Sequence, residues 1–237
     1  MFDKVYLLGI GGGGSHLAPV LVQTLRSHPK TSYSTITFID GDKFEKKNQS
    51  RQLMEPSDVG LNKATSVARI CEDRGFSDVY SIEDYANFEN LVPLLEDAQS
   101  PLVIACVDNN ATRAAIIDAI QKVCIDDNKK NFFFITPGNS DATEDPKGQV
   151  CWWGAINGKT YGQNPKEYDL DIQNPDDFIP RIGGCMDMSE SHPQVLSANH
   201  LAVSLTLSLV QTLLDEKLDH RKSQIRFNCY NLTTAIS

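Results

Sequence analysis

The stretch VYLLGIGGGG at residues 5–14 indicates the fold of this protein. Its four apolar residues are typical of a short, buried parallel strand. The glycines that follow permit a tight turn and a close approach of the backbone to a ligand. A helix is predicted next, from Ser15 to Ser27, and the first N–H groups of a helix attract phosphate. The turn therefore predicts a nucleotide site at Gly9, Gly11, Gly12 and Gly14.

Strand and helix signals alternate through the first 140 residues. Apolar, β-branched or aromatic runs predict strands, and apolar positions spaced along one helical face predict helices. The strands are expected at 35–39, near Val79, at 102–105 and at 132–136, and the helices at 63–74, 88–95 and 111–124. This rhythm predicts an α/β fold with a Rossmann-like, doubly wound, mainly parallel sheet.

The second half of the chain has a different pattern and predicts a mixed C-terminal extension. A strand is expected at 149–155, a helix at 195–214 and one or two strands within 224–235. Between them, a stretch rich in Gly, Pro, Asn and Asp predicts a long crossover loop at 157–190, and loops of that length are usually functional or mobile. We see no linker, and we expect one domain over 1–237 with a nucleotide-binding half, 1–140, and a C-terminal half, 141–237.

Composition excludes several classes of function. The net charge of −9 disfavours nucleic acid or an anionic membrane as a partner, because both need clustered cations. The N-terminus lacks a signal-peptide pattern, and we expect a cytoplasmic protein. None of the six cysteines forms a Cys-x-x-Cys pair, so no zinc site is predicted.

Asp40 ends the second predicted strand, where a carboxylate can accept hydrogen bonds from ribose hydroxyls. NAD-dependent enzymes and adenylating enzymes both use this device. The glycine turn and Asp40 together therefore leave both classes open.

The segment DGDKFEKKNQSRQ at residues 40–52 separates these classes. It resembles the D-x-D-x-x-x-x-x-N-x-x-R-Q signature of the ThiF/MoeB/HesA superfamily of ubiquitin-activating-type adenylyltransferases. Lys63 follows at about the family's distance, and CVDNNATR at 106–113 resembles the family's D-N-x-x-x-R segment. The elements appear in family order over roughly residues 4–120. The chain resembles a compact bacterial ThiF-type protein, and the narrower expectation is the kind found in PRTRC gene clusters.

The resemblance implies a reaction and its participants. ATP would adenylate the C-terminal carboxylate of a ubiquitin-like or sulfur-carrier-like small protein with a Gly-terminated tail, with release of pyrophosphate. A carboxylate is already ionised at neutral pH, so positioning and charge stabilisation are the main needs. The implied catalytic residues are Arg51, Lys63 and Asp108, with Mg²⁺ on Asp108. The remaining implied nucleotide-binding residues are Asp40, Asp42, Asn48, Gln52 and Asn109.

Cys185 resembles the loop cysteine that many family members use to form a thioester after adenylation. An exposed loop suits a reactive thiolate, and a loop cysteine without chemistry is the alternative. The family also implies a homodimer.

Three alternatives stay open at this stage. An NAD(P)-dependent oxidoreductase leaves four residues unexplained: Asn48, Arg51, Lys63 and Asp108. A non-catalytic ThiF-like scaffold would usually lose the phosphate-binding Arg or Lys, and both are present. Asp108 or Asn110 would alternatively serve as the cap of the helix that follows.

Overall fold

The computed structural model describes residues 1–139, 146–180 and 196–237. Within them nine strands form one sheet. Their bounds are β1 Lys4–Leu8, β2 Thr35–Ile39, β3 Val79–Ile82, β4 Pro101–Ala105, β5 Phe132–Asn139, β6 Lys147–Ile156, β7 Lys159–Gly162, β8 Gln224–Asn228 and β9 Thr233–Ile236. The α-helices are α1 Gly12–Ser27, α2 Lys63–Asp73, α3 Phe88–Asp97, α4 Asn110–Ile120, α5 Leu170–Gln173 and α6 Leu196–Leu214.

The sheet runs in the order β3-β2-β1-β4-β5-β6-β8-β9, and β7 pairs with β6. The strands from β3 to β5 are parallel, whereas β6 to β9 pair antiparallel. The order reverses between β1 and β4. The chain passes from β1 to β2 and β3 on one side of β1, and then crosses back to place β4 on its other side. Ligands bind at such a switch point in open α/β sheets, beyond the carboxyl ends of the strands. The predicted Rossmann-like α/β fold is confirmed.

Two apolar layers cover the sheet because side chains alternate along each strand. Val5 and Leu7 pack on the face that α1, α2 and α6 cover. Tyr6 and Leu8 pack on the opposite face, beneath α3 and α4. The parallel strands are therefore buried on both sides, as their continuous apolar sequences predict.

The structure differs from the sequence prediction at three places. Helix α1 begins at Gly12, three residues before the predicted start, so the glycines form its first turn. The helix predicted to 124 ends as regular α-helix at Ile120 and continues as a π-helical turn, Gln121–Asp127. The described part of the predicted crossover loop contains β7, a 3-10 turn at Pro165–Glu167 and α5. Among the described helices, none is both long and apolar enough to cross a membrane.

Candidate active site

A cleft of about 620 Å³ opens beyond the carboxyl ends of β1, β2, β4 and β5. Most of the residues predicted to bind nucleotide line it together: Gly9, Gly11, Gly12, Asp40, Asp42, Asn48, Arg51, Gln52, Lys63, Asp108 and Asn109. Two predicted residues are not among them. Gly14 lies behind the turn, and Cys185 falls outside the described residues.

The glycines of the turn have two different roles: some permit close packing of the backbone, and others leave space for a ligand. Gly9 has a φ of +82°, and a Cβ there would lie 2.7 Å from the Cys106 carbonyl oxygen. A Cβ on Gly14 would lie 1.9 Å from the Gly9 oxygen, so this glycine permits the approach of α1 to β1. Gly11, in contrast, has open space around its missing Cβ. Gly14 thus has a packing role, and its predicted contact with a ligand stays a prediction.

The N-terminus of α1 is left open toward the cleft. No described side chain caps it, and its first turn holds no acidic residue. The unpaired N–H groups and the positive end of the helix dipole thus face the cleft, an arrangement that binds phosphate.

Asp40 fastens the end of β2 to the glycine turn. Its carboxylate accepts hydrogen bonds from the backbone N–H of Ile10 at 2.5 Å and of Asp42 at 2.8 Å. Burial raises the pKa of Asp40 to about 6, against the lowering influence of the Lys63 charge. Each carboxylate oxygen keeps a further lone pair, so ribose hydroxyls can still bind here.

Asp42, Lys63 and Tyr85 form a polar cluster on the cleft wall. Lys63 Nζ lies 2.7 Å from Asp42 Oδ2, and the Tyr85 hydroxyl donates a short hydrogen bond to Asp42 Oδ1. Burial tends to raise the pKa of Asp42, but the Lys63 charge and the two hydrogen bonds outweigh it and hold the pKa below its ordinary value. Lys63 therefore reaches the cleft with its charge already paired.

Asn62 explains why Lys63 reaches that position. Its side chain caps α2 by accepting from Thr65 N and donates to the backbone oxygens of Asp40 and Asp42. These bonds tie the start of α2 to the end of β2. Gly41 contributes space, since a Cβ there would lie 2.6 Å from the Tyr85 ring.

The segment that follows β2 is held by its own side chains. Asn48 is buried, and its Oδ1 accepts from Glu45 N at 2.8 Å to close a capping box on the 3-10 turn Lys46–Ser50. This bond uses the amide oxygen of Asn48 and leaves its amide nitrogen out of the capping box. Arg51 follows the turn and lines the cleft.

Asp108 is exposed at the carboxyl end of β4, where the chain turns into α4. The cap of α4 is Asn109, whose Oδ1 accepts from Thr112 N at 2.7 Å. The capping role considered for Asp108 or Asn110 is therefore wrong. Asp108 faces the cleft as a carboxylate that does not cap the helix.

Arg113 braces the turn that carries Asp108. Its guanidinium donates to the Val107 carbonyl at 2.6 Å, to Asn110 Oδ1 at 2.7 Å and to Thr136 Oγ1 at 3.3 Å. Burial lowers the pKa of Arg113, and the carboxylates near it oppose this shift. The arginine of the D-N-x-x-x-R segment thus acts on the backbone of the turn.

Asp177 ties the crossover segment to the same turn. Its two carboxylate oxygens accept from the backbone N–H of Asn110 and of Ala111, both at 2.6 Å. Such a carboxylate at the first turn of a helix is stabilised by the helix dipole. Asp177 and Asn110 lie 67 positions apart in the sequence, and no local motif predicted their contact.

Within the described ranges, three buried polar atoms around the cleft lack a hydrogen-bond partner: Gln52 Oε1, Thr112 Oγ1 and Asn199 Nδ2. A buried polar atom without a hydrogen bond costs roughly 1–3 kcal/mol, and native proteins hold few of them. Their gathering at one cleft fits a polar, multiply hydrogen-bonding ligand such as a nucleotide. Sequence reasoning had assigned only Gln52 among the three, and it also missed Tyr85, Asn62 and Asp177.

Cys106 also lines the cleft but is unsuited to nucleophilic attack. Burial raises the pKa of its thiol to about 12, so it stays protonated. Within the described residues, no three His, Cys, Asp or Glu side chains come together as a metal-ligand cluster.

The sequence model of the ThiF family matches residues 2–158. This match covers well over half of the chain and includes the cleft residues from Gly9 to Asn139. The chain belongs to the ThiF family.

Curated ThiF-type relatives include ubiquitin-like modifier-activating enzyme 5. The enzyme of Drosophila pseudoobscura pseudoobscura is 30% identical over 135 residues, which cover 52% of this chain and 32% of that protein. The Drosophila persimilis enzyme is likewise 30% identical over 135 residues, with 33% of its length covered. The match thus spans about a third of the length of these relatives.

Solved structures share the fold of this ThiF-family chain. A crystal structure of PaaA has a TM-score of 0.68 at 17% identity and covers 99% of this chain and 72% of PaaA. E. coli MccB with ATP has a TM-score of 0.65 at 19% identity, covering 99% of this chain and 63% of MccB. At these identities the likeness establishes the architecture.

Proposed function

We propose that this protein uses ATP to adenylate the C-terminal carboxylate of a ubiquitin-like or sulfur-carrier-like small protein. One observation carries the proposal. A single cleft gathers Arg51, Lys63, Asp108 and the open N-terminus of α1, with unpartnered buried polar atoms around them. The 30% identity to ubiquitin-like modifier-activating enzyme 5 supports the class of substrate, and the MccB structure with ATP supports the nucleotide.

The order of the strands supports an arrangement of ATP in the cleft. Asp40 at the end of β2 would accept the ribose hydroxyls, and α1 after β1 would receive the phosphates. Arg51 and Lys63 would neutralise charge on the α-phosphate and on the leaving pyrophosphate. The amide nitrogen of Asn48 would donate to an α-phosphate oxygen.

The chemical step needs little proton transfer. A carboxylate oxygen of the substrate attacks the α-phosphorus while the bond from that phosphorus to the bridging oxygen breaks. The products are an acyl-adenylate and pyrophosphate. Because the carboxylate is already ionised, the cleft contributes alignment and positive charge, and no general base is required.

Mg²⁺ fits the site through Asp108, the exposed carboxylate at the end of β4. Mg²⁺ in nucleotide sites commonly takes one or two carboxylates, substrate phosphates and water, so one protein ligand suffices. When bound, the ion would neutralise phosphate charge.

A second step would follow on Cys185. Its sulfur would attack the acyl carbon of the adenylate, releasing AMP and a proton and forming a thioester. The support for this step is the resemblance of the sequence around Cys185 to the loop cysteine of the family. The same resemblance supports a homodimer. We further propose that 1–237 is one adenylation domain, supported by the sheet that continues from β5 into β6 across its two halves.

Trapping with hydroxylamine tests the proposal. The protein, Mg-ATP and a short synthetic peptide ending in Gly-Gly are incubated with hydroxylamine, which captures an acyl-adenylate as a C-terminal hydroxamate. We expect hydroxamate, AMP and pyrophosphate in equal amounts, and none from a peptide with an amidated C-terminus. Release of ADP and phosphate, or tight binding of NAD without hydroxamate, would contradict the proposal.

A further inference from the structure

Asn199 on α6 holds a donor that has no partner among the residues that the structure describes. The residue is 2% exposed and lines the cleft. Its Oδ1 accepts from Asn139 Nδ2 at 2.6 Å, whereas its own Nδ2 lacks a partner. One half of the amide is therefore fixed in place, and the other half offers two N–H groups in a site shielded from water. Such an arrangement fits a ligand that brings a carbonyl or carboxylate oxygen.

The position of Asn139 places this donor relative to the nucleotide. Asn139 ends β5, and the sheet order from β2 to β5 passes through β1 and β4. Three strand spacings separate the two ends by about 14 Å. If the ribose lies at Asp40, the α-phosphate over β1 and β4, and the leaving pyrophosphate toward Arg51 and Lys63, the end of β5 is the side from which a carboxylate attacks in line.

The end of β5 beside this amide pair carries no side chain at Gly138. Gly138 precedes Asn139, and a Cβ on it would lie 3.7 Å from the Arg113 guanidinium. A second cavity of about 460 Å³ also borders Asn110, Arg113, Gly138 and Asn139, which line both cavities. The two cavities therefore share a border at the end of β5, between α4 and α6.

We infer that Asn199 binds the main chain of the substrate's tail, with its free amide N–H donating to the carbonyl of the last peptide unit. This inference rests on the proposed function, and it assigns to Asn199 the hydrogen bond that positions the carbonyl oxygen of the tail. Asn139 orients the amide through its hydrogen bond to Oδ1. Because a peptide carbonyl is present in every tail, Asn199 positions the terminal carboxylate and does not select side chains.

Two variants of Asn199 test the assignment. Asn199→Asp keeps the oxygen that Asn139 requires and replaces the unpartnered donor by an acceptor. Asn199→Leu removes both groups without adding charge. The readout is ATP–pyrophosphate exchange supported by the peptide ending in Gly-Gly, with KM measured separately for the peptide and for ATP. Thermal unfolding checks that each variant folds.

We expect both variants to raise the KM for the peptide about tenfold or more, because one hydrogen bond to a polar ligand is lost. The KM for ATP should change by less than about twofold. Ser66→Ala is the matched control. Ser66 on α2 also buries a polar atom without a partner, but it is not among the described residues that line either cavity. Its removal should leave both KM values unchanged.

The outcomes separate this inference from the proposed function. Exchange in the wild-type protein with an unchanged peptide KM in both variants would overturn the role of Asn199 alone. An equal rise in the KM for ATP would assign Asn199 to the nucleotide and overturn the inference. Wild-type protein that binds Mg-ATP but supports no exchange with the peptide would overturn the proposed substrate class, and the role of Asn199 with it.

Discussion

The ammonium group of Lys63 lies 2.7 Å from the carboxylate of Asp42, where the first turn of α2 meets the loop after β2. Lys63 is only 7% exposed, and the carboxylate partner offsets the cost of burying its ammonium group. The hydrogen bond to Asp42 holds the Lys63 ammonium group at the cleft before a ligand is bound. A phosphate that approaches Lys63 would share it with Asp42, so the site is preorganised for an anion.

Lys63→Met is expected to lower the rate of pyrophosphate exchange by about 100-fold or more, because a fixed positive charge at the reacting phosphates is lost. Steady-state exchange assays measure this change. Lys46→Ala is the control, since Lys46 is an exposed lysine of the 3-10 turn and is not among the described cleft residues. Equal losses in the two variants would indicate a general charge effect and contradict a specific role for Lys63.

Substitutions at Asp108 and at its neighbour Asn109 are predicted to have different effects. The first should lower the rate of exchange, and the second should lower the stability of the protein. Asp108→Asn should reduce exchange by about 100-fold or more and leave the unfolding temperature unchanged, because Asp108 is exposed and does not cap α4.

Asn109→Ala should have a different effect, since it removes the cap of α4 and costs about 1 kcal/mol in the free energy of unfolding. Denaturant titration of both variants provides the comparison. A stability loss for Asp108→Asn as large as that for Asn109→Ala would show that its carboxylate is structural.

The affinity for a nucleoside should depend on the ionisation of Asp40. Its pKa is raised by burial to about 6, and the ionised carboxylate is the better acceptor for ribose hydroxyls. Above that pH Asp40 is ionised, so binding is strongest there. As pH falls below about 6, the affinity should fall by up to about tenfold per unit.

Adenosine is the suitable probe for Asp40, because it lacks phosphates that titrate in the same range. Calorimetric titrations from about pH 7.5 to about pH 5 measure the trend. Asp40→Asn cannot ionise and should bind weakly with little pH dependence. A wild-type affinity that stays constant over this range would exclude Asp40 as the ribose acceptor.

Asp177 should protect the first amides of α4 from exchange with solvent. Asp177→Ala removes the acceptor of the Asn110 and Ala111 N–H groups, and exchange at both amides should accelerate about tenfold or more. Hydrogen exchange followed by NMR measures each amide. Asp176→Ala changes the neighbouring carboxylate and serves as the control. Unchanged protection in Asp177→Ala would show that the bonds seen to Asp177 do not persist in solution.

Much of this architecture could be predicted from local sequence. The buried strands were recognisable because parallel strands covered on both faces have continuous apolar runs, and Asp40, Asn48, Arg51 and Lys63 follow a motif that lies close in sequence. The start of α1 was placed too late because glycine is a poor helix former, although here the glycines supply the first turn.

The contacts that complete the site could not be predicted in the same way. Asp177 meets α4 across 67 residues, Tyr85 reaches Asp42 across 43 and Asn199 meets Asn139 across 60. Each of these contacts depends on how the sheet and its crossover pack. No local pattern of residue types in the sequence predicts them. The packing of Gly14 against Gly9 could not be predicted either, because their close approach becomes visible only in the folded turn.

Cys185→Ala is expected to retain pyrophosphate exchange and to abolish any thiol-sensitive adduct with the substrate. The reason is that adenylation precedes the thiol step and does not involve sulfur. Mass spectrometry of the intact protein, before and after treatment with a reducing thiol, detects the adduct. Cys106→Ser is not a suitable control because Cys106 lines the cleft, whereas Cys71→Ser alters a buried thiol of α2. An adduct that survives in Cys185→Ala would assign the thioester to another group.

The exchange of radiolabelled pyrophosphate into ATP tests the central claim most directly. Reversible adenylation returns label to ATP only when protein, Mg-ATP and an acceptor carboxylate are all present. The account predicts labelled ATP with the peptide ending in Gly-Gly, none with the same peptide amidated at its C-terminus, and exchange reduced about 100-fold or more with Asp108→Asn. Label that appears equally without the acceptor, or a complete absence of label with this peptide and with small proteins that end in Gly-Gly, would contradict it.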